Sequence, residues 1–134
     1  MQPFAWESRI RFVDTDASGR IHYTALLRHF EAAEFEFLRS IGCPYNSLEG
    51  SYPRVHVECD YLSALVCDDA ISTAVTVDRI GSTSFTFAFA VSVEGRAAAK
   101  GKITVVCIDR KTQRPQPIPE RLAEALRGVA RAGQ

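Results

Sequence analysis

The segment RFVDTDASGRIHYT places two carboxylates, Asp14 and Asp16, shortly before a stretch with a helical apolar pattern. A carboxylate in this position has two interpretations. It caps the helix, because its oxygens accept hydrogen bonds from the free N–H groups of the first turn. Alternatively, it acts as a base or nucleophile beside those N–H groups, which then bind a developing oxyanion.

Asp16 favours the chemical interpretation, because the residues ASGRIHY that follow it form too long a gap for simple capping. With Gly19 as its turn residue, this loop is able to fold back and hold Asp16 beside the helix start, near the backbone N–H groups of Tyr23 and Thr24. Asp14 is instead expected to brace the turn or a neighbouring N–H group. The sequence therefore predicts that Asp16 is the reactive carboxylate.

The histidines are weaker candidates for acid–base chemistry. His22, at the junction of loop and helix, is predicted to line a pocket. His29, inside the helix, is predicted to face solvent, and His56 to be an ordinary strand residue. No serine occupies a G-x-S-x-G elbow and no cysteine has a recognisable partner motif, so a nucleophile–histidine pair has little support.

Metal-dependent chemistry is not expected. A D-x-D pattern also occurs in sugar-nucleotide transferases, but those enzymes need a nucleotide-binding α/β domain far larger than this chain. The four cysteines lie far apart, form no C-x-x-C pair and have no histidine at metal-binding spacing. These features argue against both a disulfide scaffold and a zinc site.

The composition indicates a single domain, because 134 residues are enough for one core and few for two. We assign residues 1–134 to it. Sixteen Lys and Arg residues balance sixteen Asp and Glu residues, so no overall field would recruit nucleic acid or an anionic membrane. The N-terminus lacks the apolar run of a signal peptide, and no run of about 18 apolar residues would span a membrane. We therefore expect a cytoplasmic protein without a membrane span.

Periodic apolar residues predict the elements that must position these groups. Alternation in FAWESRIRFVD predicts a strand, and the spacing of apolar residues from 26 to 41 predicts one face of a long helix that ends near Gly42. Four further strands are predicted in RVHVECDYL, ISTAVTVDRI, SFTFAFAVSV and AAAKGKITVVCID. A short amphipathic helix, from about Pro119 to Val129, closes the chain.

The order of these elements indicates an α+β fold in which one long helix packs on a five-stranded antiparallel sheet. A single helix cannot cover a sheet of this size completely, and the second face of the strands is not strongly polar. The uncovered surface predicts self-association.

Several motifs together resemble a known family. Residues 11–42 combine an aromatic strand, D-x-D, a small-residue turn, a His-Tyr pair and a long helix ending in L-R-x-x-G; their sequence is RFVDTDASGRIHYTALLRHFEAAEFEFLRSIG. The motifs YLSA, DDAIS and IGSTSFTF follow. Over nearly the whole chain, this pattern resembles the hotdog-fold acyl-CoA thioesterases of the 4-hydroxybenzoyl-CoA thioesterase family. The resemblance implies a hotdog fold, in which the sheet wraps a long central helix, and protomers that form a homodimer or homotetramer.

The resemblance also implies roles for individual residues. The family's catalytic carboxylate falls on Asp16, and the family position occupied by histidine or tyrosine falls on Tyr23, the second catalytic candidate. Candidates for substrate binding lie in the turn, at the helix start, on the helix or in the GSTSF hairpin: Gly19, His22, Thr24, Glu31, Ser82, Thr83 and Ser84. This hairpin lacks the basic cluster that some aryl-CoA members of the family use near the nucleotide.

The expected activity is hydrolysis of a small acyl- or aryl-CoA thioester to free acid and CoA. Coenzyme A is part of the substrate, so no further cofactor is expected. Two alternatives stay open: a thioesterase that acts on an acyl carrier protein, and a non-catalytic hotdog domain that binds acyl-CoA. The sequence also leaves open whether Asp16 attacks the carbonyl carbon or activates a water molecule.

Overall fold

The computed structural model describes residues 3–132. They form five strands and two helices: β1 (Phe4–Arg9), α1 (Ala25–Ser40), β2 (Arg54–Tyr61), β3 (Ala70–Ile80), β4 (Ser84–Val93), β5 (Arg96–Val106) and α2 (Glu120–Ala132). Short 3-10 turns, Phe12–Asp14 and Tyr45–Ser47, follow β1 and α1. The predicted α+β class is confirmed, with a five-stranded antiparallel sheet and two helices.

The strands form one antiparallel sheet in the order β1-β3-β4-β5-β2. β3, β4 and β5 follow one another as a meander, and Gly95, at φ +79°, makes the tight turn between β4 and β5. β1 pairs with β3 and β2 pairs with β5, so these two strands are the edges of the described sheet. The arrangement is consistent with the expected hotdog fold.

One face of α1 supplies the centre of the hydrophobic core. Leu26, Phe30, Ala33 and Phe37 recur at helical spacing and are buried, as the periodicity predicted. The face is received by aromatic side chains of β4. Burial of one such phenylalanine contributes roughly 1.5–3 kcal/mol relative to its exposure, so this contact fixes the helix on the sheet.

The aromatic contacts set the position of α1 in detail. Phe30 stacks on Phe89 with ring centroids 4.6 Å apart, and the ring also lies against Gly101 of β5. A Cβ atom at Gly101 would stand 2.7 Å from the Phe30 ring and 2.5 Å from the backbone oxygen of Glu58 in β2. Only glycine therefore allows β5 to pass between the ring and the neighbouring strand.

The ends of the helices follow the sequence signals. Gly42, at φ +79°, lies just beyond the end of α1, where a left-handed residue was predicted to stop the helix. The predicted C-terminal helix is present as α2, and it continues past the predicted end at Val129 to Ala132. Within residues 3–132, neither helix is both long and apolar enough to cross a membrane.

β1 is shorter than the predicted strand FAWESRIRFVD. It ends at Arg9 because the 3-10 turn Phe12–Asp14 takes the place of its last residues. The Asp14 carboxylate accepts a hydrogen bond from the backbone N–H of Arg11 at 2.9 Å, which closes this turn. Local hydrogen bonding by an aspartate side chain thus overrides the alternating pattern.

A buried ion pair joins α1 to the edge strand β2. The carboxylate of Glu34, only 1% exposed, accepts a hydrogen bond from the guanidinium of Arg54. Its other oxygen, Oε1, is buried and has no partner among residues 3–132. Burial raises the pKa of Glu34 to about 7, although Arg54 acts in the opposite direction. The sequence pattern does not predict this ion pair.

Candidate active site

The loop between β1 and α1 folds back on itself as the sequence predicted. Thr15 and Ile21 form an isolated antiparallel bridge, and inside it the backbone N–H of Asp16 donates to the oxygen of Arg20 at 2.9 Å. The N–H of Gly19 donates to the oxygen of Asp16 at 3.0 Å, with Gly19 at φ +85°. The tight turn requires this left-handed glycine and presents the Asp16 side chain to solvent.

The Asp16 carboxylate is held by one neighbour. Its Oδ1 accepts hydrogen bonds from the hydroxyl and the backbone N–H of Ser18, at 2.5 and 2.8 Å. These two bonds, the hydroxyl first, lower the pKa of Asp16. The side chain is therefore ionised at neutral pH, and no residue in the described chain donates to Oδ2. Ser18 is not among the predicted site residues, although Asp-x-Ser in a turn is a recognisable signal for this bond.

The start of α1 lies beside this turn. The backbone N–H of His22 donates to the oxygen of Asp14 at 2.7 Å, which ties the residues just before α1 to this turn. The His22 and Tyr23 rings stack with centroids 4.6 Å apart. His22, Tyr23 and Thr24 thus gather at the helix start next to Asp16, as predicted.

Within residues 3–132, only one of the two expected oxyanion donors is free. The N–H of Thr24 donates to Nδ1 of His22 at 3.1 Å, and the same nitrogen lies 2.8 Å from the Thr24 hydroxyl. The N–H of Tyr23, in contrast, donates to no residue in the part of the chain that the structure describes. The geometry therefore offers Tyr23 N–H as a donor and leaves Thr24 N–H engaged.

Tyr61, at the end of the edge strand β2, contacts the helix start although it is distant from it in the sequence. Its hydroxyl donates a hydrogen bond to the backbone oxygen of Tyr23. Burial raises the pKa of Tyr61 to about 12, so the phenol stays protonated and remains a donor. The sequence predicts a strand at Tyr61 but gives no reason to pair it with the helix start, because the contact joins distant segments.

Asp14 has the bracing role that the sequence predicted. It is fully buried, and burial opposes its ionisation. Hydrogen bonds from Arg11 and His29 outweigh burial and lower its pKa. Nε2 of His29 lies 3.0 Å from Asp14 Oδ2, and Nδ1 of His29 lies 3.0 Å from the Ser8 hydroxyl. The prediction that His29 faces solvent is therefore wrong, because β1 and the turn at Asp14 cover it.

Among the other predicted binding residues, Glu31 is exposed on α1. The residues of the GSTSF hairpin are not brought to Asp16 within one chain. Ser82, Thr83 and Ser84 lie where β3 turns into β4, and Thr83 and Ser82 accept backbone hydrogen bonds from the segment after β5. The Asp16 turn lies near the opposite end of β4, since the bridge of Arg20 to Val66 adjoins the start of β3. The two groups are separated by roughly the length of a ten-residue strand, about 30 Å.

Large apolar side chains are exposed around the Asp16 turn and along β2. This apolar surface consists of Phe12, Val13, Tyr23, Val55, Val57, Tyr61, Leu62 and Val66. Folded monomers rarely leave so many large apolar side chains in water unless they bind a partner or an apolar ligand. The ionised carboxylate of Asp16 thus stands at the margin of an apolar surface that suits a protein partner or an apolar ligand.

Within residues 3–132, no group of three or more histidine, cysteine or carboxylate side chains is arranged to hold a metal ion. The groups that the described residues present at the site are the Asp16 carboxylate, the Tyr23 N–H and the hydroxyls of Ser18 and Thr24.

Comparison with known proteins shows the family of the chain. The family model of the thioesterase-like superfamily matches residues 10–126, which include the turn, α1 and all of the sheet except β1. The chain belongs to the thioesterase-like superfamily. This membership confirms the resemblance found in the sequence.

Individual relatives of the superfamily match along most of their length. A 1,4-dihydroxy-2-naphthoyl-CoA hydrolase of Synechococcus sp. (strain RCC307) is 33% identical over 119 residues, which cover 83% of this chain and 91% of the relative. The acyl-CoA thioesterase YbgC of Haemophilus influenzae is 24% identical over 127 residues, covering 92% and 93%. A crystal structure of an Aquifex aeolicus protein superposes with a TM-score of 0.87 at 30% identity, covering 92% and 99%. The two relatives named as CoA thioester hydrolases support thioester hydrolase activity.

Proposed function

We propose that this chain hydrolyses the thioester of a small acyl- or aryl-CoA to the free acid and CoA, with Asp16 as the reactive group. One arrangement carries the proposal: the ionised Asp16 stands beside the start of α1, and among residues 3–132 nothing donates to its Oδ2 and nothing accepts from the Tyr23 N–H. The names of the Synechococcus and Haemophilus relatives agree with a CoA thioester as substrate.

The carboxylate has two routes to the products. In the first, Oδ2 of Asp16 attacks the carbonyl carbon, CoA leaves as a thiolate, and water hydrolyses the mixed anhydride. In the second, the carboxylate takes a proton from a water molecule that attacks the same carbon. Both routes develop negative charge on the carbonyl oxygen, and the Tyr23 N–H at the helix start would stabilise it. Loss of one such donor typically costs about 10²–10³ in rate.

The proposed active unit is a homodimer that pairs β2 with β2 across a twofold axis, with a homotetramer as the larger assembly. Arg54 begins β2 at the sheet end that carries the GSTSF hairpin, and Tyr61 ends it near the Asp16 turn. Antiparallel pairing would bring the hairpin of the second copy to the same end of the combined sheet as Asp16. The apolar side chains exposed along β2 support this pairing.

We further propose that the reaction needs no resident cofactor, that the protein acts in the cytoplasm, and that it does not bind nucleic acid. The equal numbers of acidic and basic residues support the absence of nucleic-acid binding, because they give the chain no overall positive field. A single domain over residues 1–134 remains part of the proposal.

The test measures release of free thiol from a panel of aliphatic and aromatic acyl-CoAs. Asp16→Asn is expected to reduce kcat by at least about 10³, as loss of an essential base or nucleophile does, and to leave the circular dichroism spectrum unchanged. Asp109→Asn is the matched control, because Asp109 also accepts two turn hydrogen bonds through Oδ1 and has a lowered pKa, but it lies in another loop. Full activity of Asp16→Asn would refute the assigned role.

The same panel separates the two alternatives. Faster turnover of a carrier-protein thioester than of the CoA thioester with the same acyl group would identify an acyl-carrier-protein thioesterase. Tight binding of acyl-CoAs that all remain intact with the unmodified protein would identify a non-catalytic binding domain.

A further inference from the structure

A cavity of about 370 Å³ lies between the edge strand β1 and the outer side of α1. We call it the β1–α1 groove. Its walls include Trp6, Ser8, Arg11, Arg28, His29 and Ala32. The volume lies at the low end of the roughly 300–1,000 Å³ typical of small-molecule sites, so it suits a ligand of one or two rings better than a whole acyl-CoA.

The groove follows from the spacing of its residues. Trp6 and Ser8 alternate onto the same side of β1, and Arg28 and Ala32 stand one helical turn apart on α1. Ser8 and Ala32 are small, so strand and helix do not close the space between them. The half-buried Trp6 supplies an aromatic surface in the remaining volume.

Positive charge dominates the groove. Arg28 forms no salt bridge with any residue in the described range, and Arg11 has only a long contact of 3.4 Å to Asp14, with 64% of its side chain exposed. Arg9 also lines the groove, but its guanidinium already donates to the backbone oxygen of Asp68. Arg11 and Arg28 are therefore the guanidinium groups left for a ligand. The opposing carboxylate, Asp14, is buried and engaged by His29.

We propose that the β1–α1 groove binds a small aromatic carboxylate. Arg28 and Arg11 pair with the carboxylate, because a guanidinium offers parallel N–H groups that match its two oxygens. The ring of the ligand packs against Trp6, as aromatic pairs do at centroid distances of about 4.5–7 Å. The Ser8 hydroxyl, fixed by His29, forms the polar part of the wall. The site goes beyond thioester hydrolysis and does not require Asp16.

The test uses the single tryptophan of the chain as its reporter, since Trp6 lines the groove. Benzoate is titrated while Trp6 fluorescence is followed, with benzamide as the neutral analogue and inorganic phosphate as the anion without a ring. Saturable binding of benzoate is expected, with affinity at least about tenfold above that of either analogue, as charged hydrogen bonds and ring packing require.

Arg28→Gln should weaken benzoate binding about tenfold or more. Arg39→Gln is the matched control on the same helix, because Arg39 is exposed, lies outside the groove and forms a salt bridge with Glu36. Asp16→Asn should bind benzoate as the unmodified protein does, so loss of hydrolysis and loss of groove binding are read separately. Absence of a saturable signal, equal affinity for benzamide or phosphate, or unchanged affinity in Arg28→Gln would overturn the proposal.

Discussion

The hydroxyl of Tyr61 donates a hydrogen bond to the backbone oxygen of Tyr23, and this bond joins the edge strand β2 to the first residues of the helix start. The two residues are 38 positions apart in the chain. Because the peptide that carries the free Tyr23 N–H lies next to that oxygen, Tyr61 helps to fix where an oxyanion donor points.

Tyr61→Phe should lower kcat about tenfold with little change in KM, because small displacements of positioned groups cost large factors in rate. It should also lower the free energy of unfolding by about 1 kcal/mol, as loss of one hydrogen bond does. Tyr52→Phe is the control, since Tyr52 also donates to a backbone oxygen, that of Glu49, in another part of the fold. Equal loss of kcat in both variants would argue against a local role for Tyr61.

Ser18→Ala should shift the pH dependence of kcat/KM. The Ser18 hydroxyl is the main cause of the lowered pKa of Asp16, so its removal raises that pKa towards the ordinary value. Activity that needs ionised Asp16 should then fall away at a higher pH on the acid side than in the unmodified protein. Ser47→Ala, which removes a comparable turn hydroxyl bonded to the oxygen of Pro44, should leave the profile in place.

Glu34 should make stability depend on pH in a defined window. Its pKa is raised from 4.5 to about 7 in the folded chain, so between these values the folded state binds the extra proton. Stability therefore decreases as pH rises through this window, by roughly 3 kcal/mol in total, and levels off above it. The cause is burial of a carboxylate that Arg54 compensates only in part.

Glu34→Gln should remove this dependence, because the amide does not titrate and still accepts from Arg54. Urea unfolding of both proteins at a series of pH values gives the difference directly. Glu36→Gln is the control on the same helix, where the carboxylate is partly exposed and pairs with Arg39. Parallel stability curves for Glu34→Gln and the unmodified protein would show that Glu34 does not titrate in this window.

Val57→Lys should disrupt self-association. Val57 lies in the middle of β2 with 44% of its surface exposed, and two paired copies of this strand would bury the introduced charge. The dissociation constant should rise roughly 30-fold or more, and thiol release should fall as the dimer dissociates. Sedimentation at several concentrations measures the first effect. Thr112→Lys adds the same charge in an exposed turn and should change neither the dissociation constant nor thiol release. A monomeric, fully active Val57→Lys protein would contradict the proposed pairing.

The predictions from sequence succeeded where the determining interactions are local. The turn at Gly19 and the face of α1 that contains Phe30 follow from residues within a few positions of one another. His29 was misplaced because its burial depends on Ser8 and Asp14, which reach it from two other segments. Tyr61 and Arg54 were missed for the same reason, since a strand pattern does not state which helix its side chains will meet. The separation of the GSTSF hairpin from Asp16 likewise depends on strand order.

The contact of Phe30 with Gly101 restricts how the enzyme can adapt to its substrates. The Phe30 ring already leaves no room for a Cβ atom at Gly101, so a shift of α1 along its axis by a single residue, about 1.5 Å, would disrupt this close packing. We therefore expect the helix start to keep its position when different substrates bind. Different acyl groups must be accommodated by the surroundings, and variants selected for new substrates should leave Phe30 and Gly101 untouched.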